Sequence, residues 1–210
     1  MAALRSSGEI VGAIEKKMRH SISLTCVRYR LRPVTLEDAP FIVALRSDPL
    51  LGRFLHETSS RVEDQVAWLE RYFSRPDDYY FIVEDADSGE PHGAIGIYDV
   101  DRDAPSAQWG RWVLKRGSMA ALESAWLIYE AGLSRLQLAS LSSRTLIDNP
   151  RVVSFHDSFG ASRVGVLEGH FLVRGERKSA IEHCIKTAEW PALRARHYST
   201  VSRLARRVHQ

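Results

Sequence analysis

The sequence predicts an α+β domain: one central, mostly antiparallel sheet of about seven strands with about four helices packed on it. Three observations carry this. Period-two apolar alternation and helical stripes follow one another along the chain. Three strand-like runs, at 79–84, 93–100 and 108–114, stand in a row between turn residues, the pattern of an antiparallel meander. The 210 residues, 44% apolar and 26% charged, suffice for one domain with a full core.

The first strand is expected at 27–32, where Val27, Tyr29 and Leu31 alternate with Arg28, Arg30 and Arg32, a half-buried pattern suited to a sheet edge. Thr35 and Asp38 read as a capping box that opens a helix to about Arg46. Pro40 falls in its first turn, where a missing amide costs least, and Asp48-Pro49 ends it. Ser60 and Glu63 form a second such box ahead of Val62, Val66, Leu69, Tyr72 and Phe73 at helical spacing. The meander follows. A long helix is then expected from about Met119 to Leu136, with Leu122, Trp126, Tyr129 and Leu133 on its apolar stripe. A strand at 140–146, a turn at 148–150, a short helix at 151–159 and two strands at 163–173 and 177–186 complete the domain. Trp190-Pro191 is expected to end the ordered part. The division is an N-terminal extension at 1–26, a domain at 27–190 and a basic tail at 191–210. Ile10, Val11, Ile14 and Met18 allow a short helix within the extension, though a frayed segment fits as well.

Composition excludes several function classes. No run of about 18 apolar residues exists, so no membrane span is expected. The N-terminus lacks the apolar stretch and cleavage site of a secretory signal. Two cysteines, Cys26 and Cys184, cannot build a disulfide framework or a zinc cluster, and no metal spacing occurs. A cytoplasmic chain with reduced thiols is the expectation. Net charge is +3, but residues 28–190 carry −4; the excess of base sits in the two ends. A nucleic-acid reader would carry its basic stripe on the fold, so nucleic acid is not the expected partner.

Two stretches carry chemistry. The strand at 108–114 feeds Lys115-Arg116-Gly117-Ser118 into a helix N-terminus, where free amides and the helix dipole favour an anion such as pyrophosphate. Arg111, Lys115 and Arg116 add positive charge nearby. An ordinary strand–loop–helix joint would contain the same residue types, and neither a P-loop nor a dinucleotide fingerprint is present. The second stretch runs from Asn149 through His156 to Gly160.

The order of elements, with an Asn opening a short helix, a His seven residues on and a Gly four beyond it, resembles the GCN5-related N-acetyltransferase (GNAT) superfamily over about residues 27–190. The strand 107–114 resembles that family's acetyl-CoA strand. The close at 183–190 resembles two branches, one acting on nucleotide-linked amino sugars, the other on protein N-termini. The resemblance implies a GNAT-type fold, acetyl-CoA as co-substrate, no metal, and a small amine acceptor, in a monomer or homodimer. It implies that Trp112, Val113, Arg116, Gly117, Ser118, Met119, Ala120 and Asn149 hold the cofactor. It places the acceptor near Arg53, His56, Glu57, Tyr98 and Asp99, with His156 as general acid to the departing thiolate. Two departures stand out. The pyrophosphate loop lacks a leading Gln or Arg and has Met119 where a second small residue belongs. Gln108 stands where many relatives carry Glu.

That glutamine bears on the acceptor. The nucleophile must be a neutral amine. A lysine near pKa 10.4 is over three units short at pH 7, about 4–5 kcal/mol, whereas an α-amine near 8 is only about one unit short. A relay through Gln108, Asp99 or Asp101 suits the smaller gap, which favours an amino sugar or an N-terminus over lysine. The sequence leaves three readings open: an amino-sugar N-acetyltransferase, a protein N-terminal acetyltransferase, or a CoA-binding module without chemistry.

Overall fold

The computed structural model describes residues 18–208. Ile10, Val11 and Ile14 of the expected N-terminal helix lie outside the described residues, and Met18 is exposed.

Among the described residues the sheet has eight strands rather than about seven, and five α-helices surround it rather than about four. In chain order these are β1 (Leu24–Thr25), β2 (Tyr29–Pro33), α1 (Ala39–Ser47), α2 (Val62–Tyr72), β3 (Tyr79–Asp85), β4 (Pro91–Asp101) and β5 (Ser106–Leu114). Then come α3 (Ala121–Tyr129), β6 (Ser140–Leu146), α4 (Pro150–Phe159), β7 (Ser162–Val173), β8 (Glu176–Lys186) and α5 (Trp190–Val208). The spatial order is β1-β2-β3-β4-β5-β6-β8-β7, antiparallel throughout except at the β5–β6 junction.

Two expectations at the ends are corrected. The N-terminal extension contributes β1, which pairs with β2 and takes the edge predicted for the first strand. Order also continues past Trp190: residues 191–208 form α5, with Trp190, His197 and Val201 buried. Trp126 Nε1 donates to Arg194 O at 3.0 Å, and Arg194 pairs with Glu130 at 2.8 Å, so this helix is fastened to α3.

Local signals explain most elements. Asp38 Oδ2 accepts from the Thr35 backbone N–H at 2.8 Å, which closes the predicted box ahead of α1. The Ser60/Glu63 box does not form; Arg61 occupies the cap position of α2, and Ser59 Oγ accepts the Arg61 N–H at 3.2 Å. Arg174 and Gly175 both have positive φ, the mirror-image turn that matches strand twist in a two-residue hairpin between β7 and β8. Gly160 ends α4 at φ 97°, and a Cβ there would meet Leu193 Cδ2 at 2.8 Å. Only glycine fits both the left-handed cap and the close packing of α5.

The core lies on both faces of the sheet. On one face Tyr29, Phe81, Ile97, Trp109 and Leu141 pack against α3, α4 and α5. On the other, Tyr80, Ile82, Ala94 and Val113 pack against α1 and α2. Glu123, in the first turn of α3, accepts the backbone N–H groups of Val27, Arg28 and Tyr29 at 2.9–3.0 Å. This buried carboxylate ties the entry of β2 to the start of α3.

The sheet is irregular at its centre. β5 and β6 pair only from Ser106↔Ser140 to Gln108↔Ser142 and then separate. On its other side β5 carries a bulge, where Arg111 adopts φ 51° and the register with β4 shifts between Ala94 and Gly96.

Candidate active site

Where β5 and β6 part, a cavity of about 480 Å³ opens. Trp109, Gly110, Arg111 and Trp112 of β5 form one wall. Residues 143–146 of β6, with Asn149, Val152 and His156 at α4, form another. Phe54, Leu55, His56 and Thr58 of the loop after α1, Trp68 of α2, and Phe171 and Val173 of β7 close it. Past Gln108, the β5 backbone groups that face the gap have no strand partner. Such groups seek hydrogen bonds, and an extended amide-bearing arm such as pantetheine supplies them. Trp112 and Asn149, two of the predicted cofactor residues, border this gap.

His156 reaches the cavity from α4 and is 2% exposed. Its ring meets Trp109 edge-on at 5.2 Å and stacks on His183 at 5.1 Å, while Ser143 Oγ stands 3.4 Å from Nε2. Burial, then the neighbouring His183, lowers its pKa to about 3, against a weaker upward pull from Asp157. The ring is therefore neutral at physiological pH. A neutral ring has one N–H to donate as a hydrogen bond.

The cavity lining is rich in arginine. Arg46, Arg75, Arg111 and Arg144 belong to it, and no aspartate or glutamate does. Arg111 is committed: it pairs with Asp78 through both terminal nitrogens, at 2.5 and 2.9 Å, and lies against the rings of Trp68, Tyr80 and Tyr98. Its expected role beside the phosphate loop is corrected, because the bulge aims it away from that loop. Arg46 holds the loop after α1 through Thr58 Oγ1 and His56 O, at 3.2 and 3.1 Å. Burial lowers its pKa. Trp68 stacks on Tyr72, and the Arg75 guanidinium lies 5.9 Å from the Trp68 ring.

The predicted phosphate loop spans 115–120, outside the cavity, at the end of β5. Gly117 has φ 75°, with open space where a Cβ would stand. Ser118 Oγ accepts from Ala120 N at 3.2 Å and meets His92 Nδ1 at 3.1 Å. His92 is therefore buried behind the loop. The first amides of α3 have no partner within the helix, as an anion site requires. The added cations are engaged: Arg116 with Asp48 at 2.7 Å, Lys115 with Glu90. Met119 is exposed, and Ala120 is buried beneath it. Val113 offers no side chain to a ligand, because it belongs to the core under α1 and α2.

Among the predicted acceptor residues, His56 and Tyr98 line the cavity. Arg53, Glu57 and Asp99 do not: Arg53 is exposed over Phe54, Glu57 pairs with Arg174, and Asp99 is exposed at the β4 irregularity. Gln108 lies just beyond the cavity, donating through Nε2 to Glu182 Oε1 at 3.2 Å. Arg46, Trp68, Arg75 and Arg144 escape sequence reasoning, since nothing in their local spacing marks them.

A family model of the acetyltransferase (GNAT) domain matches residues 28–162, more than half of the chain. The chain belongs to the GNAT acetyltransferase family. It shares 27% identity and a TM-score of 0.72 with apo FdhC, a nucleotide-linked sugar GNAT, covering 85% of this chain and 97% of that one. A GCN5-related N-acetyltransferase from Brucella melitensis gives a TM-score of 0.75 at 20% identity, covering 86% and 85%. Spermidine N-acetyltransferase from Vibrio cholerae, solved with CoA and spermine, gives 0.71 at 17%, covering 78% and 98%. No curated protein is similar enough in sequence to count as a relative. This GNAT domain is an N-acetyltransferase of a family that uses acetyl-CoA. No group of metal ligands occurs among its described residues, and no helix there is long and apolar enough to cross a membrane.

Proposed function

We propose that this enzyme transfers the acetyl group of acetyl-CoA to the amine of a nucleotide-linked amino sugar. The cavity's arginines carry this reading: Arg111 and Arg144 are paired with Asp78 and Glu182, but Arg46 and Arg75 have no carboxylate partner among the described residues. A polyamine would meet like charge there, whereas a diphosphate would meet complementary charge and guanidinium donors. Trp68 and Phe171 provide flat apolar surface for a ring. The likeness to a nucleotide-linked sugar GNAT points the same way. Free thiols at Cys26 and Cys184 suit a cytoplasmic reaction.

The reaction is direct attack. The amine nitrogen bonds to the acetyl carbon, the carbon–sulfur bond breaks, and the proton lost by nitrogen ends on CoA sulfur. The neutral His156 donates a hydrogen bond to the departing sulfur, and Gln108 accepts one from the amine. The amides of Arg116 and Gly117 and of the first turn of α3 receive the pyrophosphate, and Asn149 the pantetheine arm.

The test measures free thiol released from acetyl-CoA with three acceptors: a UDP-linked 4-amino sugar, a peptide with a free N-terminus, and spermidine. The expected result is preference for the first. Arg46→Ala should raise the KM of that acceptor about tenfold, the worth of one charge-assisted contact. Preference for spermidine or the peptide overturns the reading.

A further inference from the structure

Glu182 on β8 shares one carboxylate between two other strands. Its Oε1 accepts from Gln108 Nε2 on β5 at 3.2 Å and from Arg144 Nε on β6 at 2.9 Å. The side chain is only 16% exposed. Register explains the meeting. Gln108 opposes Ser142, and two residues further along β6 Arg144 opposes Glu182. Side chains of that parity share one face of the sheet. Tyr98, opposite Gln108 on β4, stands on the same face. The cluster therefore lies at the point where β5 and β6 part, and both Tyr98 and Arg144 line the cavity.

An ionised carboxylate only accepts hydrogen bonds, so Glu182 fixes which way the Gln108 amide faces. With Nε2 committed, Oε1 is left as an acceptor that is neither buried nor bonded among the described residues. Arg144 is held in the same manner. Its Nε faces Glu182, one terminal nitrogen stands 3.4 Å from His170 Nε2, and the rest of its fork is free for the cavity. One half-buried side chain thus sets the direction of one acceptor and one cation.

We propose that Glu182 is a positioning residue for acetyl transfer: from behind the cavity wall it aims the Gln108 carbonyl oxygen at an N–H of the acceptor amine and the Arg144 guanidinium at the acceptor's anionic part. This rests on the acetyl-transfer reading above. An amine gripped through one N–H presents its lone pair in a fixed direction, which is the geometric part of catalysis. Glu182 itself gains and loses nothing in the reaction.

The test is a double-mutant cycle on the full chain. Glu182→Ala and Gln108→Leu should each lower kcat/KM for the UDP-linked 4-amino sugar about tenfold, the worth of one such hydrogen bond. The KM for acetyl-CoA should stay within about twofold, since the lost contact belongs to the other substrate. The double variant should lose no more than the worse single one, because both act through one contact. Glu182→Gln keeps an acceptor for Gln108 and loses the charge on Arg144, so it should fall about threefold. Wild-type kcat/KM in Glu182→Ala, losses that multiply, or a matching rise in the KM for acetyl-CoA would each overturn the proposal. If the alanine variant does not fold, Glu182→Gln decides: a wild-type value overturns it. A wild type that acetylates spermidine and not the sugar refutes only the nucleotide reading, and the cycle read on spermidine still decides the Gln108 contact. A wild type that acetylates neither refutes both.

Discussion

His156 shows how burial sets the chemistry of a single side chain. Three other histidines share its condition: burial is the first cause lowering the pKa of His20, to about 4, and those of His92 and His197. Their unfolded counterparts titrate near 6.5. Between 6.5 and the folded values the unfolded chain takes up protons that the native protein refuses. Native stability from these residues is therefore full above pH 6.5 and is lost as pH falls through their folded values, about 4 for His20 and about 3 for His156. Those two each add a slope of about 1.4 kcal/mol per pH unit between 6.5 and the folded value, and His92 and His197 act in the same direction. Urea midpoints measured at pH 7, 5.5 and 4.5 should fall steadily, and His156→Gln should fall less steeply. An equal slope in the variant would show that His156 already carries a proton in the native state. In the same variant kcat should drop about a hundredfold with acetyl-CoA binding little changed, as expected for a donor that matters only while the bond breaks. An unchanged kcat would remove His156 from the chemistry.

Elements differ in how much of themselves the sequence displays. The loop at 115–120 was legible, because its glycine, its bases and its position before a helix are all local. Gly117 at φ 75° gives a direct test. Gly117→Val keeps the amide but strains the left-handed backbone, at about 1–2 kcal/mol. Calorimetry should show acetyl-CoA bound about tenfold more weakly, and Gly117→Asn should suffer less. Equal affinity in all three forms would place the pyrophosphate elsewhere. Helix α5 was not legible. Its buried residues, Trp190, His197 and Val201, are scattered among arginines, and their partners Trp126 and Phe159 come from distant helices. His197 Nε2 meets Phe159 O at 2.7 Å, which joins α5 to the end of α4 just beyond His156. Truncation after residue 189 should therefore lower the melting temperature by at least about 10 °C, through loss of several buried side chains at about 1.5–3 kcal/mol each. A truncated protein that melts with the full chain would show that α5 is dispensable packing.

At the scale of the whole molecule, the meander followed from alternation and turns, and Asn149 and His156 marked one wall of the cavity. The other wall had no such signature. Arg46 comes from α1, Arg75 from beyond α2, and Arg144 from β6, and only the closed sheet brings them to one place. Glu182 is a plainer case: a glutamate in an alternating strand looks solvent-facing, and its two partners belong to strands that pairing alone makes its neighbours. On the proposed function, recognition of the acceptor is a property of the assembled fold, while recognition of the cofactor is largely local.

The short pairing of β5 with β6 makes the sheet two plates joined along a seam. One plate is β1 to β5 with α1, α2 and α3; the other is β6, β8 and β7 with α4. Only three residue pairs cross between the strands at the seam. Cooperativity follows the density of such crossings. The unliganded protein should then open along the seam at a lower free energy than it unfolds within either plate, and a molecule lying in the gap would act as the missing strand. Amide hydrogen exchange can read this. Without acetyl-CoA, the β5 amides that face the gap past Gln108 should exchange well ahead of those on the β3–β4 ladder. With it, they should slow together with amides of β6 and β8 that lie beyond the reach of any ligand. Protection confined to the contact residues would mean that the plates are already one cooperative unit, and that the cofactor fills a gap without welding it.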